Sequence, residues 1–156
     1  MQILRVGTIN HAAFEWIHHE YVGRQEGLST ALYVIRDAKT PLPPVGTILT
    51  SLQTATLVYA DNSTRDVRVP TPVIQELKQQ LKAWIVTSNS SLGDEGINMN
   101  VDDLYVEAVM VVAAYNLVSR FLLGTDVAGI SDMEVPWPLD RREVSELFFF
   151  QHDVDF

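Results

Sequence analysis

The stretch QILRVGTINHAAFEWIHHEYV, residues 2–22, decides the fold class. Its apolar side chains fall at Ile3, Val6, Ile9, Ala13, Trp16 and Ile17, close to the 3.6-residue period of a helix. Gly23 and Gly27 end that helix. Working outward, Ser29 caps a short helix through about Ala38, and Pro41, Pro43 and Pro44 enforce a loop, since each disfavours helix in the residue before it. Residues 46–61 read as a helix with Ile48, Leu49, Leu52, Ala55 and Val58 on one side, closed by the turn chemistry of Asp61-Asn62-Ser63. Thr71 followed by Pro72 is a cap with a first-turn proline, opening a helix through about Ile85.

Residues 87–100, TSNSSLGDEGINMN, are polar and contain glycine; they predict the longest loop, and a mobile one. Asp102 and Asp103 then sit where carboxylates suit a helix N-terminus. The strongly apolar segment from Leu104 to Leu123 follows, with Gly124 as its stop and Glu107 and Arg120 within it. A membrane span needs about 20 largely uncharged residues, so this segment reads as the buried central helix of a globular domain. Asn116 and Arg120, four apart, can share hydrogen bonds. Pro136-Trp137-Pro138 predicts a rigid aromatic loop, and residues 140–150 a last short helix ending in Phe148-Phe149-Phe150. The expectation is one compact all-α domain over 1–156, with a C-terminal extension from about 129 to 156.

Composition excludes several functions. The chain has 11 Lys+Arg against 20 Asp+Glu, a net charge of −9 and a pI near 4.7. That argues against binding nucleic-acid phosphates, which needs clustered Lys and Arg, and against docking on anionic lipid. With no cysteine there is no disulfide, thiolate metal site, iron–sulfur cluster or cysteine nucleophile. MQILRVGTIN lacks the cationic and apolar regions of a signal peptide, so the expected compartment is the cytosol and the glycosylation sequons at Asn62 and Asn89 read as chance.

Three of the four histidines lie in one short run, Asn10-His11-Ala12-Ala13-Phe14-Glu15-Trp16-Ile17-His18-His19-Glu20. On a continuous helix His11, Glu15 and His18 or His19 share a stripe, because residues three or four apart are neighbours. A carboxylate one turn before a histidine can orient the ring and raise its basicity, as a general acid/base near neutral pH requires. A solvated polar face explains the same spacing. So does a metal, since Glu15-x-x-His18 has the spacing of half a di-iron carboxylate site; the second Glu-x-x-His half is absent from the sequence. The expectation is no metal and no cofactor. Glu107, a carboxylate in an apolar helix, needs a partner, a shifted pKa or an exposed first-turn position.

ILRVGTINHAAFEWIHHEYVGRQEGLS, LVYADNSTRDVRVPTPVIQEL and DDLYVEAVMVVAAYNLVSRFL together resemble the carboxymuconolactone decarboxylase family over about residues 2–128, and DMEVPWPL resembles the tail of its fungal members. The resemblance implies the all-α alkylhydroperoxidase-D-like fold and a trimeric or hexameric homo-oligomer. Redox members of that group carry Asn-x-Cys-x-x-Cys-x-x-x-His on this helix. Laid on this chain, the cysteine positions are Ala12 and Glu15 and the histidine is His19. The family's peroxidase chemistry therefore has no thiol here. The resemblance instead implies a cofactor-free lyase acting on a small carboxylated or lactone ring, by decarboxylation or a proton shift. His19 would be the proton donor and Glu15 its orienting group. Trp16, His18, His11 and Glu107 would contact the substrate, with Trp16 as an apolar wall. The family's Arg-Glu-Leu ahead of the "ILRV" segment, whose Glu takes part in proton transfer, has no counterpart in a chain beginning Met1-Gln2-Ile3. That departure motivates the alternative expectation, a non-catalytic oligomeric protein that binds a small molecule.

Overall fold

The computed structural model describes residues 1–92 and 100–138. They form α1 (Gln2–Ile9), α2 (Ala13–Gln25), α3 (Ala31–Arg36), α4 (Ser51–Asp66), α5 (Thr71–Leu92), α6 (Val101–Gly124) and a 3-10 turn at Val127–Gly129, with no strand among the described residues. The fold is all-α, as the periodicity implies. The expected helix over 140–150, with Phe148-Phe149-Phe150, lies outside the described residues.

Residues 2–22 do not form one helix. The chain reverses at Asn10-His11-Ala12, where His11 adopts the left-handed conformation at φ 60°. The Ala12 N–H donates to the Gly7 carbonyl (2.8 Å) and the His11 N–H to the Thr8 carbonyl (3.2 Å), the paired bonds of a Schellman closure. α2 ends in the same way, with Gly27 at φ 77° and Leu28 N–H donating to the Gly23 carbonyl at 2.9 Å.

The other boundaries also move. Thr30, not Ser29, precedes α3, and no side chain caps it. Residues 46–50 stay outside α4, which opens on a capping box: Thr50 Oγ1 accepts from the Gln53 N–H and the Gln53 side chain accepts from the Thr50 N–H. Asp61-Asn62-Ser63 lies inside α4 rather than in a turn. Thr71 and Pro72 do open α5, but it runs on to Leu92, so residues 87–92 of the expected loop are helical and 93–99 lie outside the described residues. α6 begins at Val101, capped by Asn100, with Asp102 and Asp103 in its first turn.

The centre of the molecule is α1. Leu4, Arg5, Val6, Gly7 and Thr8 are buried in succession, and α1 packs against α2, α3, α4 and α6. Leu4 joins Trp16, Leu32, Ile35, Leu57 and Val135 in one apolar cluster, while Val6 joins Ala60, Leu77 and Val112 in a second. Between them, Arg5 donates to both Asp61 carboxylate oxygens, Nε at 2.5 Å and Nη2 at 2.7 Å. Its Nη1 meets the carbonyls of Val34, Ile35 and Asp37 at 3.0, 3.1 and 3.2 Å. One guanidinium thus closes the end of α3 and ties it to α4 through a charge-assisted fork.

α6, expected to be the buried centre, is peripheral. Only Val112 and Ser119 are buried in it, and Val106, Met110, Leu117 and Phe121 stand exposed along one side. It is long and apolar enough to cross a membrane, with mean hydropathy 1.6, yet just 17% of that window is buried. After the 3-10 turn the chain returns to α3, where Val135 enters the first cluster and Arg36 Nε donates to the carbonyls of Val135 (2.9 Å) and Pro136 (3.1 Å).

Candidate functional site

Breaking the first helix at His11 sets α2 on a course of its own and turns its Glu15–His19 face onto α6. The two helices run antiparallel across this contact, with Glu15 opposite Ser119 and His19 opposite Tyr115.

Glu15 is 1% exposed. Its Oε2 accepts from the Ser119 hydroxyl at 2.7 Å, and its Oε1 is buried without a partner. Gly7 of α1 makes room for it, since a Cβ at that position would stand 2.9 Å from Oε1. Burial raises the Glu15 pKa to about 7, against the smaller lowering from the Ser119 bond. Burial thus favours the protonated carboxyl far more than in an ordinary glutamate.

One turn on, His19 Nδ1 lies 2.9 Å from the Glu15 main-chain carbonyl. A carbonyl only accepts, so Nδ1 carries the hydrogen and, in the neutral ring, Nε2 accepts from the Tyr115 hydroxyl at 3.0 Å. The two rings meet edge to face at 5.2 Å. Asn116, beside Tyr115, extends the polar seam: it accepts from Asn10 at 3.1 Å and donates to Thr64 Oγ1 at 3.1 Å.

The structure brings together Glu15 and His19 and none of the other expected site residues. The Glu15 carboxyl does not orient the imidazole; its backbone carbonyl does, because the carboxyl is turned inward toward Gly7 and Ser119. Trp16 is fully buried in the first cluster and donates from Nε1 to Glu20 at 3.0 Å, so it is no wall of an open site. His18 is exposed, stacked on Phe14 at 4.0 Å. His11 is exposed in the turn between α1 and α2, and the stripe of His11, Glu15 and His18 is not formed. Glu107 is exposed on α6, about 12 Å along the helix from Tyr115. Arg120 is exposed too, and Asn116 bonds Asn10 and Thr64 instead of it.

Tyr115 and Ser119 complete the site and were not singled out by the sequence. Their spacing, four apart, puts them on one face of α6, but Glu107, Asn116 and Arg120 are polar too and the pattern does not say which face meets α2. Two clefts lie elsewhere, one of about 440 Å³ between α4 and α5 and one of about 300 Å³ beside α3. No family model, curated protein or solved structure matches this chain.

Proposed function

We propose that the chain is a thiol-independent, cofactor-free acid/base enzyme of the carboxymuconolactone decarboxylase kind, with the alkylhydroperoxidase-D-like fold, acting on a small carboxylated or lactone ring. The observation that carries this reading is the two-rung contact between α2 and α6, where His19 Nε2 meets the Tyr115 hydroxyl at 3.0 Å beside the buried Glu15 carboxyl, which accepts from Ser119. In decarboxylation the bond from ring carbon to carboxylate breaks, CO₂ leaves, and the electron pair stays on the carbon as an enolate. His19 first takes a proton from solvent at Nε2, so that the imidazolium donates to the Tyr115 oxygen; substrate then displaces the phenol, Nε2 gives that proton to the carbon, and solvent reprotonates the ring. Glu15 is a positioning residue, fixing the junction that carries His19.

The test is CO₂ release from a panel of carboxylated butenolide lactones. His19→Ala should lose about 10²–10⁴ in rate with an unchanged thermal midpoint. Wild-type rates in that variant would overturn the reading. The alternative, a non-catalytic protein that binds a small molecule, is favoured by one observation: both clefts lie away from Glu15 and His19. Calorimetric binding of such a lactone without turnover would establish it.

The reading carries a cytosolic homo-oligomer, a trimer or a multiple of one. The exposed row Val106, Met110, Leu117 and Phe121 supports assembly, since contiguous apolar surface of a few hundred Å² usually marks an interface. Sedimentation at micromolar concentration tests it: a single species near 17.5 kDa, unchanged on concentrating, would refute the oligomer.

A further inference from the structure

The cleft beside α3 has a composition that neither the acid/base site nor the assembly uses. Its volume is about 300 Å³, and Tyr33, Val34, Asp37, Thr40, Pro41, Pro43 and Trp137 line it. Two of these are large aromatics left half open to solvent, Tyr33 at 50% and Trp137 at 52%. Both are held in place from outside the cleft: the Tyr33 hydroxyl donates to the Pro138 carbonyl at 3.2 Å, and the Arg36 guanidinium stacks 4.9 Å from the Trp137 ring centre. The indole already serves as a platform for one cation. That guanidinium's charge is met by Glu134 at 3.2 Å and by the carbonyls of Val135 and Pro136, so its field at the cleft is reduced.

Asp37 supplies the remaining element. Both backbone N–H groups that reach its carboxyl, from Lys39 (3.3 Å) and Thr40 (3.2 Å), fall on Oδ1, leaving Oδ2 outside those bonds. Hydrogen bonding from Thr40 holds this carboxyl below the usual carboxylate range, so it is ionised at any physiological pH. No Lys or Arg lines the cleft, and Val34, Pro41 and Pro43 contribute apolar side chains to it. Aromatic faces and a carboxylate fixed by Thr40, with no cationic side chain in the lining, suit a cation that binds through ring quadrupoles and charge.

We propose that this cleft is a binding site for a small quaternary ammonium ion, about the size of choline, held between Trp137 and Tyr33 and neutralised by Asp37. It is independent of Glu15 and His19, and of the reading given for them. The net charge of −9 favours any cation approaching this surface.

Calorimetric titration of the full chain tests it with two probes of nearly equal shape: choline, and its uncharged isostere 3,3-dimethyl-1-butanol. Choline should bind in the millimolar range or tighter, at least about tenfold better than the isostere. Trp137→Leu and Asp37→Asn should each weaken choline about tenfold, while Trp137→Phe, which keeps a ring face, should retain part of the affinity. Equal binding of the two probes, no heat with choline up to tens of millimolar, or wild-type affinity in Trp137→Leu would each overturn the proposal.

Discussion

α1 and α6 divide the roles that their sequences suggest in reverse. α6 is the longer and more apolar helix, yet a single face of it is covered and Val112 and Ser119 alone are buried. α1 has eight residues, one of them a buried arginine, and is enclosed on every side by α2, α3, α4 and α6. A short helix can be surrounded because few neighbours suffice to cover it. It tolerates a charge there because Arg5 finds Asp61 and three carbonyls at once. Burial is thus set by the number of elements that reach a segment. The proposed site lies where the two helices come nearest in function: Gly7 of α1 makes room for the Glu15 carboxyl and Ser119 of α6 holds it.

The comparison breaks most severely at Arg5. Arg5→Ala leaves Asp61 and the carbonyls at the end of α3 without their donor, and should cost about 3–5 kcal/mol in urea unfolding. A loss below about 1 kcal/mol would mean that α1 does not hold the fold together.

The next effect is in pH. The Glu15 pKa is raised in the folded state to about 7 from 4.5, so the native protein binds more protons than the unfolded chain between those values. Stability should therefore fall as pH rises from about 4.5 to about 7, by roughly 3 kcal/mol in all, and level off above. Glu15→Gln should flatten that slope; an unchanged slope would place its origin elsewhere.

Gly7→Ala should cost about 1–3 kcal/mol, because its Cβ would stand 2.9 Å from the pinned Glu15 carboxyl. Glu15→Gln would not relieve this, since the amide is as bulky, whereas Glu15→Ala in the same chain should. The smallest effect is on α6. Leu117→Glu, at an exposed position, should change monomer stability by no more than about 0.5 kcal/mol while shifting sedimentation toward the monomer. A large loss of stability there would make α6 a core helix after all.

The sequence carried the helical class and pointed to Glu15 and His19, which share the contact with α6, but not the break in the first helix that turns them there. Two helix ends illustrate why. The end of α2 has Gly27 at its left-handed position and is readable; the end of α1 has the same closure with His11, and nothing in the residue type announces it. Asp61-Asn62-Ser63 has turn composition, yet Arg5 engages Asp61 and the Val58 carbonyl engages Asn62, which keeps them in α4. The Thr50-x-x-Gln53 capping box, which a start at residue 46 passes over, marks the true beginning of that helix. Tyr115 and Ser119 could not be assigned to the site, because which face of α6 meets α2 depends on long-range packing, not on local pattern.

α1, α2 and α6 together bury the Glu15 carboxyl and raise its pKa to about 7. The most direct measurement is an NMR titration of the Glu15 side-chain carboxyl carbon. The account predicts a midpoint near 7, moving higher in Ser119→Ala, where the bond that favours the ionised form is lost. A midpoint at the ordinary value of about 4.5, or one that Ser119→Ala leaves in place, would contradict it.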